Sequence, residues 1–245
     1  MVHAIRIKNL RKIFSIDRER NSMFRTLEKK VLWRHRSSGT FVALNDINID
    51  ILIGERIGVV GNNGSGKTTL LKVIAGLYES NGGEIHVNGN LSLLAGFGIG
   101  MVDELSVEEN IFLYGAIYGI ERNRIKERLH EIIEWAELES FARAKLKTLS
   151  SGMRTRLAFS ATRYIETDTY LLDEALSAGD KNFKQKCEQF FEKAKDSDRT
   201  FMVATHDLNF VRLFCEKTLW LHKGEQMAFG KTDSVLGRYM ESKST

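Results

Sequence analysis

A glycine-rich octapeptide constrains this chain more than any other feature of its sequence. Residues 61–68 read Gly-Asn-Asn-Gly-Ser-Gly-Lys-Thr, which fits the pattern G-x-x-x-x-G-K-[ST]. The preceding residues, Arg56–Val60, have the pattern of a short apolar strand, and Lys67–Leu77 have that of a helix. Such a loop wraps backbone N–H groups around phosphates, while Lys67 reaches the terminal phosphates and Thr68 can ligate Mg²⁺. We therefore predict a phosphate-binding loop; an ordinary glycine turn with a surface lysine is the alternative.

The rest of the chain alternates strand-like segments with helical ones. A strand is predicted over residues 3–9, a polar basic stretch follows at about 15–40, and residues 104–165 are mostly helical by pattern. Strands that alternate with helices imply a mostly parallel sheet with helices on both faces. At 245 residues and 42% hydrophobic content, the chain can bury a core of this kind. The helical middle third then reads as a lobe inserted into the sheet domain.

Cysteine usage and hydropathy indicate a reducing, aqueous setting. Cys187 and Cys215 are the only cysteines and have no C-x-x-C spacing, so we expect them to pack in the core. The first residues lack an apolar leader, and no stretch approaches the roughly 18 uninterrupted apolar residues of a membrane span. The chain is therefore not expected to cross a bilayer by itself.

Two segments place ionisable side chains directly after predicted strands. The apolar run Thr169–Leu172 leads into Asp173 and Glu174, and Val203–Thr205 leads into His206. Beside a phosphate loop, Asp173 would hold Mg²⁺, Glu174 would polarise an attacking water and His206 could touch a terminal phosphate. Each segment alone also fits a solvated strand end or a structural histidine.

A third segment, Leu149–Met153, reads Leu-Ser-Ser-Gly-Met and precedes a helical pattern. Small residues at a helix start, with a serine hydroxyl and exposed N–H groups, can bind an anion. A simple helix N-cap at Ser150 is the alternative.

The order and spacing of these segments carry more information than any one of them. Ser150 follows Lys67 by 83 residues, Asp173 follows Ser150 by 23, and His206 follows Glu174 by 32. In this arrangement the chain resembles the ATP-binding cassette of ABC proteins over nearly its whole length. The resemblance implies a single domain, 1–245, of the α/β class. Its parts would be a mostly parallel core sheet with flanking helices, an N-terminal antiparallel β subdomain and the inserted helical lobe.

The same resemblance implies how the residues share the chemistry. In this family, two cassettes pair head to tail, so that the P-loop of one chain and the Ser-Ser-Gly signature of the other close on one ATP. By position, Asp180 is the D-loop aspartate and Phe14 is the aromatic that stacks on adenine, unless it is simply a buried core residue. The implied catalytic residues are Glu174, His206 and Lys67, and the implied metal ligands are Thr68 and Asp173. The implied ATP-binding residues are Gly61, Asn62, Asn63, Gly64, Ser65, Gly66, Lys67, Thr68, Thr69, Phe14, Ser150, Ser151, Gly152 and Asp180.

The chain departs from the family at the Q-loop. This loop normally places a Gln between the P-loop and the lobe, where it contacts Mg²⁺ and senses the membrane partner. No Gln occurs here before Gln185, and an alignment of Gly100–Asn110 with the Q-loop puts Val102 at the Gln position. The usual metal contact is therefore not expected, although Asp173 and Thr68 can still hold the ion.

Three segments narrow the resemblance to one group. Gly100–Asn110, Ser150–Phe159 and the run from Asp173 to Cys187 are similar to the ATPases of bacterial polysaccharide exporters. The implied cargo is a lipid-linked O-antigen, capsule or teichoic acid chain. Some O-antigen exporters carry a further carbohydrate-binding domain after this point; no such domain is expected here beyond Tyr239 and Met240.

The first 40 residues hold most of the positive charge. They contain eleven Lys and Arg against three acids, a net charge of +8, so the other residues carry −4. Nucleic-acid binders usually spread basic charge through the fold, so no nucleic-acid partner is expected.

Apolar residues recur at helical spacing within this stretch, at Met23, Phe24, Leu27, Val31 and Leu32. A basic amphipathic helix at an anionic membrane surface is predicted for about 15–40, with a helix packed on its own domain as the alternative.

We therefore expect an ATPase that forms a homodimer, uses ATP and Mg²⁺, docks on two copies of an integral-membrane permease, and works peripherally at the cytoplasmic face of the bacterial inner membrane. Two alternatives stay open from sequence. One is a regulatory ABC protein that signals through a membrane partner without export. The other is a soluble ABC ATPase acting on DNA or ribosomes, which would usually show two cassettes, zinc motifs or long coiled coils, none of which occurs in this sequence.

Overall fold

The computed structural model describes residues 2–16, 39–95, 100–165, 167–174 and 181–243. The strands in these ranges are β1 (His3–Ile16), β2 (Gly39–Leu52), β3 (Arg56–Val60), β4 (Gly82–Val87), β5 (Leu91–Ala95), β6 (Thr169–Asp173), β7 (Thr200–Ala204), β8 (Lys217–His222) and β9 (Glu225–Lys231). The α-helices are α1 (Lys67–Ile74), α2 (Val107–Ile117), α3 (Arg122–Ala136), α4 (Ser151–Arg163), α5 (Lys181–Ala194), α6 (Leu208–Phe214) and α7 (Thr232–Glu241). Short 3₁₀ turns lie at Glu139–Phe141 and Leu146–Thr148.

The strands join in the order β4-β1-β2-β9-β8-β3-β7-β6-β5. Strands β5, β6, β7, β3 and β8 are parallel to one another and form one run within this row. β1 is antiparallel to both β2 and β4, and β9 is antiparallel to β8. The predicted α/β fold is therefore confirmed, with a parallel core and an antiparallel N-terminal region.

Burial explains why the two regions have different sequence patterns. All five residues of β6 and of β7 are buried, because helices cover both faces of a parallel sheet. In β2, by contrast, Ile47, Ile49 and Ile51 are buried while Asn48 and Asp50 between them are exposed. This alternation is typical of a strand with one face on the core and one in water.

The first strand extends further than the sequence pattern predicts. The strand predicted at residues 3–9 continues to Ile16, because Ser15 pairs with Thr40 and Ile16 with Gly39 in a long antiparallel ladder. The outer ends of the predicted basic insertion, about 15–40, thus belong to β1 and β2. The remainder, residues 17–38, which holds the predicted amphipathic helix, lies outside the described residues.

Helix α4 belongs to two hydrophobic cores at once. Its Ala158 and Phe159 pack with aromatic residues of α5 and α6 against the sheet. Its Leu157 and Ala161 pack instead with α2 and α3, which form a helical lobe around a core of their own. The lobe is therefore anchored to the sheet through α4. None of the helices in the described ranges is long and apolar enough to cross a membrane.

Candidate functional site

The candidate site lies where three neighbouring parallel strands end. β3, β7 and β6 are adjacent in the sheet, and Ala204 of β7 pairs with Val59 on one side and Asp173 on the other. The P-loop leaves the carboxyl end of β3, Glu174 follows β6, and His206 follows β7. A pocket of about 410 Å³ opens between them, lined by Phe41, Ala43, Asn63, Gly64, Ser65, Gly66, Lys67, Thr68, Thr69, Asp173, Glu174 and His206. Strand order thus brings together segments that are more than 100 residues apart.

Two glycines of the P-loop are required by its local geometry. Gly66 caps α1 with a φ of 105°, a left-handed conformation that strains other residues. Gly61 has a φ of 153°, and a Cβ there would lie 2.5 Å from Ser65 Oγ and would also clash with the Leu221 carbonyl. The loop therefore lies tightly against β8, and its backbone N–H groups can line the start of α1, where the helix dipole favours an anion.

Lys67 is held in place from below the pocket. The side chain is only 7% exposed, and its Nζ donates to the carbonyl oxygen of Gly61 at 2.8 Å and more weakly to that of Asn62 at 3.4 Å. Burial lowers the pKa of Lys67, while the nearby carboxylates of Glu174 and Asp173 act in the opposite direction. A desolvated ammonium across a pocket from carboxylates is suited to bind the oxygens of a phosphate that enters the pocket.

Two buried polar atoms at the pocket lack a hydrogen-bond partner within the described part of the chain. They are Oδ1 of Asp173, a residue 8% exposed, and Oγ of Ser65, a residue 3% exposed. Leaving such groups unpaired is costly, so their presence indicates that a ligand completes the site. Asp173 and Thr68 line the same pocket and offer the oxygen ligands that Mg²⁺ prefers. These residues therefore fit a magnesium ion bound together with phosphate.

Glu174 lines the pocket directly after β6 ends. Its backbone has a φ of 53°, in the left-handed region, and its N–H donates to the Ala204 carbonyl oxygen, so its main chain stays bonded to β7 where β6 ends. Its Oε1 lies 3.3 Å from His206 Nε2. Burial raises the pKa of Glu174 above that of an ordinary glutamate, and His206 and Lys67 act to lower it. A carboxylate with a raised pKa is a better general base than a solvated one.

We expect His206→Ala to shift the acid limb of ATP hydrolysis to higher pH. His206 lowers the pKa of Glu174, so its removal lets that pKa rise and leaves less carboxylate at a given pH. The measurement is kcat as a function of pH for both proteins. Loss of a contact between His206 and phosphate would lower kcat equally at every pH. The shift of the acid limb can therefore be measured separately from such a loss. His86→Ala, on an exposed histidine of β4, is the matched control; an acid limb that stays in place or moves to lower pH would contradict the coupling.

The Ser-Ser-Gly segment does not line this pocket. Ser150 caps α4, and its Oγ accepts a hydrogen bond from the Met153 N–H at 3.3 Å. The hydroxyl proton is then free to point outward as a donor. A Cβ on Gly152 would meet no atom within 4 Å, so nothing in the described chain requires a glycine there. The segment thus presents a hydroxyl, helix N–H groups and an open approach to a second molecule.

An aromatic side chain that the sequence analysis did not select faces the pocket. Phe41 is 52% exposed and lines it, whereas the predicted Phe14 packs edge-on against Tyr78 at 5.3 Å and lies under the ammonium of Lys12. Phe14 and Phe41 are direct partners across β1 and β2. The only sequence signal for Phe41 is its position just before the buried Ala43 and Leu44, at the edge of the basic stretch.

The remaining predicted residues lie apart from the pocket or outside the described ranges. Asp180 falls within residues 175–180, which are not described. Val102, which the sequence alignment predicts at the Q-loop position, is 44% exposed. An apolar side chain there offers no ligand to a metal ion.

Comparison with known proteins gives a consistent picture. A protein family described as ABC transporter matches residues 44–177. The chain is 38% identical over 87% of its length to the teichoic acids export ATP-binding protein TagH of Bacillus anthracis, and covers 39% of that protein. It is 36% identical over 84% of its length to the O-antigen export system ATP-binding protein RfbB of Myxococcus xanthus, and covers 47% of it. The chain thus spans less than half the length of these two relatives.

Solved structures agree in fold. A dimeric post-hydrolysis state of the ATP-binding cassette MJ0796 bound to ADP and Pi superposes with a TM-score of 0.74 at 24% identity, covering 93% of this chain and 98% of that one. At this level of identity the likeness concerns the arrangement of helices and strands.

Proposed function

Because this chain belongs to the ABC transporter family, we propose that it is the ATP-binding and ATP-hydrolysing subunit of an exporter that moves lipid-linked polysaccharide out of a bacterial cell. The observation that carries the proposal is the assembly of P-loop, Asp173, Glu174 and His206 around one pocket. A phosphate cradle, two carboxylates and an imidazole are the groups that phosphoryl transfer to water requires.

The triphosphate of ATP is placed by the P-loop. Its β- and γ-phosphates take the N–H groups at the start of α1 and the ammonium of Lys67. Thr68 and Asp173 would hold Mg²⁺, which would neutralise charge on the phosphate oxygens. The orphaned oxygen of Asp173 and hydroxyl of Ser65 both gain partners in this arrangement.

Glu174 acts on the nucleophile. Its carboxylate takes a proton from a water whose oxygen bonds to the γ-phosphorus while the bond to the β,γ-bridging oxygen breaks and ADP leaves with that oxygen. His206, 3.3 Å from the carboxylate, orients it and can donate to a γ-phosphate oxygen. Lys67 stabilises the charge that grows on the phosphate oxygens. Because the enclosing residues desolvate both Lys67 and Glu174, these interactions act in a low-dielectric setting.

The active form is a head-to-tail homodimer. The outward hydroxyl of Ser150 and the unobstructed backbone at Gly152 supply the second wall of the site, facing the phosphates of ATP bound to the partner chain. Ser151 adds a helix N–H at the same end. The two walls of one ATP site come from different chains, so hydrolysis depends on dimer formation.

The adenine is covered by an aromatic from the antiparallel strands. Phe41 is half exposed at the pocket and can stack on a base, while Phe14 behind it is already in contact with Tyr78. We therefore propose Phe41 as the side chain that stacks on adenine, with Phe14 as the neighbouring side chain that supports it.

The membrane partner docks on the lobe surface. Val102 is 44% exposed and Ile117, which lies beside Gly100, is 55% exposed, so both offer apolar side chains to a partner. Two copies of a permease would each place a cytoplasmic segment there. The basic stretch at about 15–40 would then face the cytoplasmic surface of the membrane, where the lipid-linked chain arrives. The names of the relatives, which specify teichoic acid and O-antigen export, support a polysaccharide cargo.

Deletion of the gene in its host tests the proposal. Surface polysaccharide should be lost and lipid-linked chains should accumulate inside the cell, with rescue by the wild-type gene but not by one carrying Glu174→Gln. Staining of the cell envelope and extraction of lipid-linked glycans are the measurements. Normal surface polymer in the deletion strain would overturn the export function, leave ATP hydrolysis standing, and favour a regulatory role at a membrane partner.

A further inference from the structure

The segment Gly100–Leu105, which the sequence alignment predicts at the Q-loop position, is bound to α2 by one buried side chain. Asn110 of α2 is fully buried, and its Oδ1 accepts from the Val102 N–H at 2.6 Å. Its Nδ2 lies within hydrogen-bond distance of the carbonyl oxygens of Val102, Leu105 and Ser106, at 3.0, 3.2 and 2.9 Å. Both ends of the amide are thus used on this one segment, which makes it a rigid part of the lobe.

The other side of the segment is bound to the loop that leads into α4. The Lys147 N–H donates to the Asp103 carbonyl at 3.1 Å, and the Leu146 N–H donates to the Leu105 carbonyl at 2.9 Å. Glu104 forms ion pairs with Lys147 and Lys145 at 3.0 and 3.2 Å. The segment and the loop before the signature therefore form one hydrogen-bonded unit.

One ion pair connects this unit to α4, the helix that begins at the Ser-Ser-Gly signature. Arg154, in the first turn of α4, donates from Nη1 to Asp103 Oδ1 at 2.7 Å, and its side chain is only 24% exposed. Its Nε donates to the Leu149 carbonyl at 3.3 Å, and its backbone N–H donates to the Ser150 carbonyl at 3.0 Å. A displacement of Asp103 is thus passed by two short contacts to the residue that would touch the partner's phosphate.

We propose that the Asp103–Arg154 pair is the positioning element that couples the docking surface at Val102 to the signature serine, in place of the missing Gln. The inference rests on the proposed function, since it assumes an ATP-driven dimer. Val102 has no group that could report on the phosphates, whereas its neighbour Asp103 is joined to the signature by a charge-assisted hydrogen bond. Coupling between two sites is reciprocal, so ATP engagement at Ser150 must also change the surroundings of Val102.

An optical probe at Val102 tests this coupling in the full chain without a permease. Val102→Cys is labelled with an environment-sensitive thiol fluorophore in a Glu174→Gln background, so that bound ATP is retained. The native cysteines are only 1% and 5% exposed, and burial raises the pKa of the Cys187 thiol to about 12, so labelling is specific. Added MgATP is expected to shift the emission as the dimer forms, and Asp103→Asn to reduce that shift about threefold without weakening ATP binding.

Matched variants separate coupling from simple loss of structure. Glu104→Gln removes the two neighbouring ion pairs to Lys145 and Lys147, which join the same two loops but do not reach α4, and it should leave the emission shift unchanged. The double variant Asp103→Arg, Arg154→Asp should restore the emission shift, because it rebuilds the ion pair with the two charges exchanged. An undiminished shift in Asp103→Asn, or an equal loss in Glu104→Gln, would overturn the inference. A parent protein that forms no dimer with ATP would instead contradict the proposed function and the inference with it.

Discussion

Glu174→Gln is expected to reduce ATP turnover by about 10² to 10⁴-fold while ATP binding is retained. The amide keeps the size of the side chain but cannot take a proton from water, and it also removes a negative charge that would face the γ-phosphate. ATP should therefore accumulate in the site and hold two chains together. Phosphate release measures the first effect, and gel filtration with and without MgATP measures the second.

Glu84→Gln is a suitable control, because this glutamate is exposed on β4, outside the pocket. Turnover by Glu174→Gln equal to that of the wild type would remove Glu174 as the general base. The remaining candidate among the pocket carboxylates would then be Asp173, which the site needs as a metal ligand.

Lys67→Ala is expected to weaken ATP binding by about 10 to 100-fold, the effect of losing a charged hydrogen-bond partner of the phosphates. The ammonium also ties the carbonyl oxygens of Gly61 and Asn62 beneath the loop, so the first turn of the P-loop loses an anchor. Titration with a fluorescent ATP analogue measures the affinity.

The folded state should tolerate this change. Burial disfavours the charged form of Lys67, as the lowered pKa shows, so its removal relieves a desolvation cost. A thermal melt of the variant should therefore be close to that of the wild type. Lys72→Ala on the same helix, where the ammonium faces Tyr78, is the control. Unaltered ATP affinity in Lys67→Ala would contradict the role of Lys67 in phosphate binding. A strongly lowered melting temperature would show a structural role instead.

The sequence predicted those parts of the site whose signal is local. The P-loop is a contiguous pattern, and β6 and β7 are continuous apolar runs, so the positions of Lys67, Asp173, Glu174 and His206 at strand or helix ends followed from short-range rules. Their meeting in one pocket followed from the parallel order of β3, β7 and β6.

Other features depend on contacts between distant residues and left no local signal. Asp103 and Arg154 are 51 residues apart, and either alone looks like a surface charge. Asn110 looks like an ordinary polar residue of an amphipathic helix, yet it is fully buried by its bonds to residues 102–106. Phe41 was missed because an exposed aromatic in a strand cannot be told from its neighbours until the P-loop is seen beside it.

The last strand and helix were also missed, for a different reason. β9 is half exposed along its length, with no strict alternation, and α7 begins directly at its end without a side-chain cap. They are defined by tertiary contacts: β9 pairs with β8 and β2, and Trp220 of β8 meets Tyr239 of α7 edge-on at 5.6 Å.

The shared position of α4 has a consequence for how the protein unfolds and how it can change over time. Leu157 of this helix belongs to the core of the lobe, and Phe159 belongs to the core at the sheet. Neither core can therefore unfold without disturbing the other. The lobe and the sheet should therefore lose their structure in one cooperative step, and damage to either is felt by both. For the same reason, a lobe can be exchanged between related proteins only if α4 is exchanged with it or its sheet-facing aromatic contacts are kept.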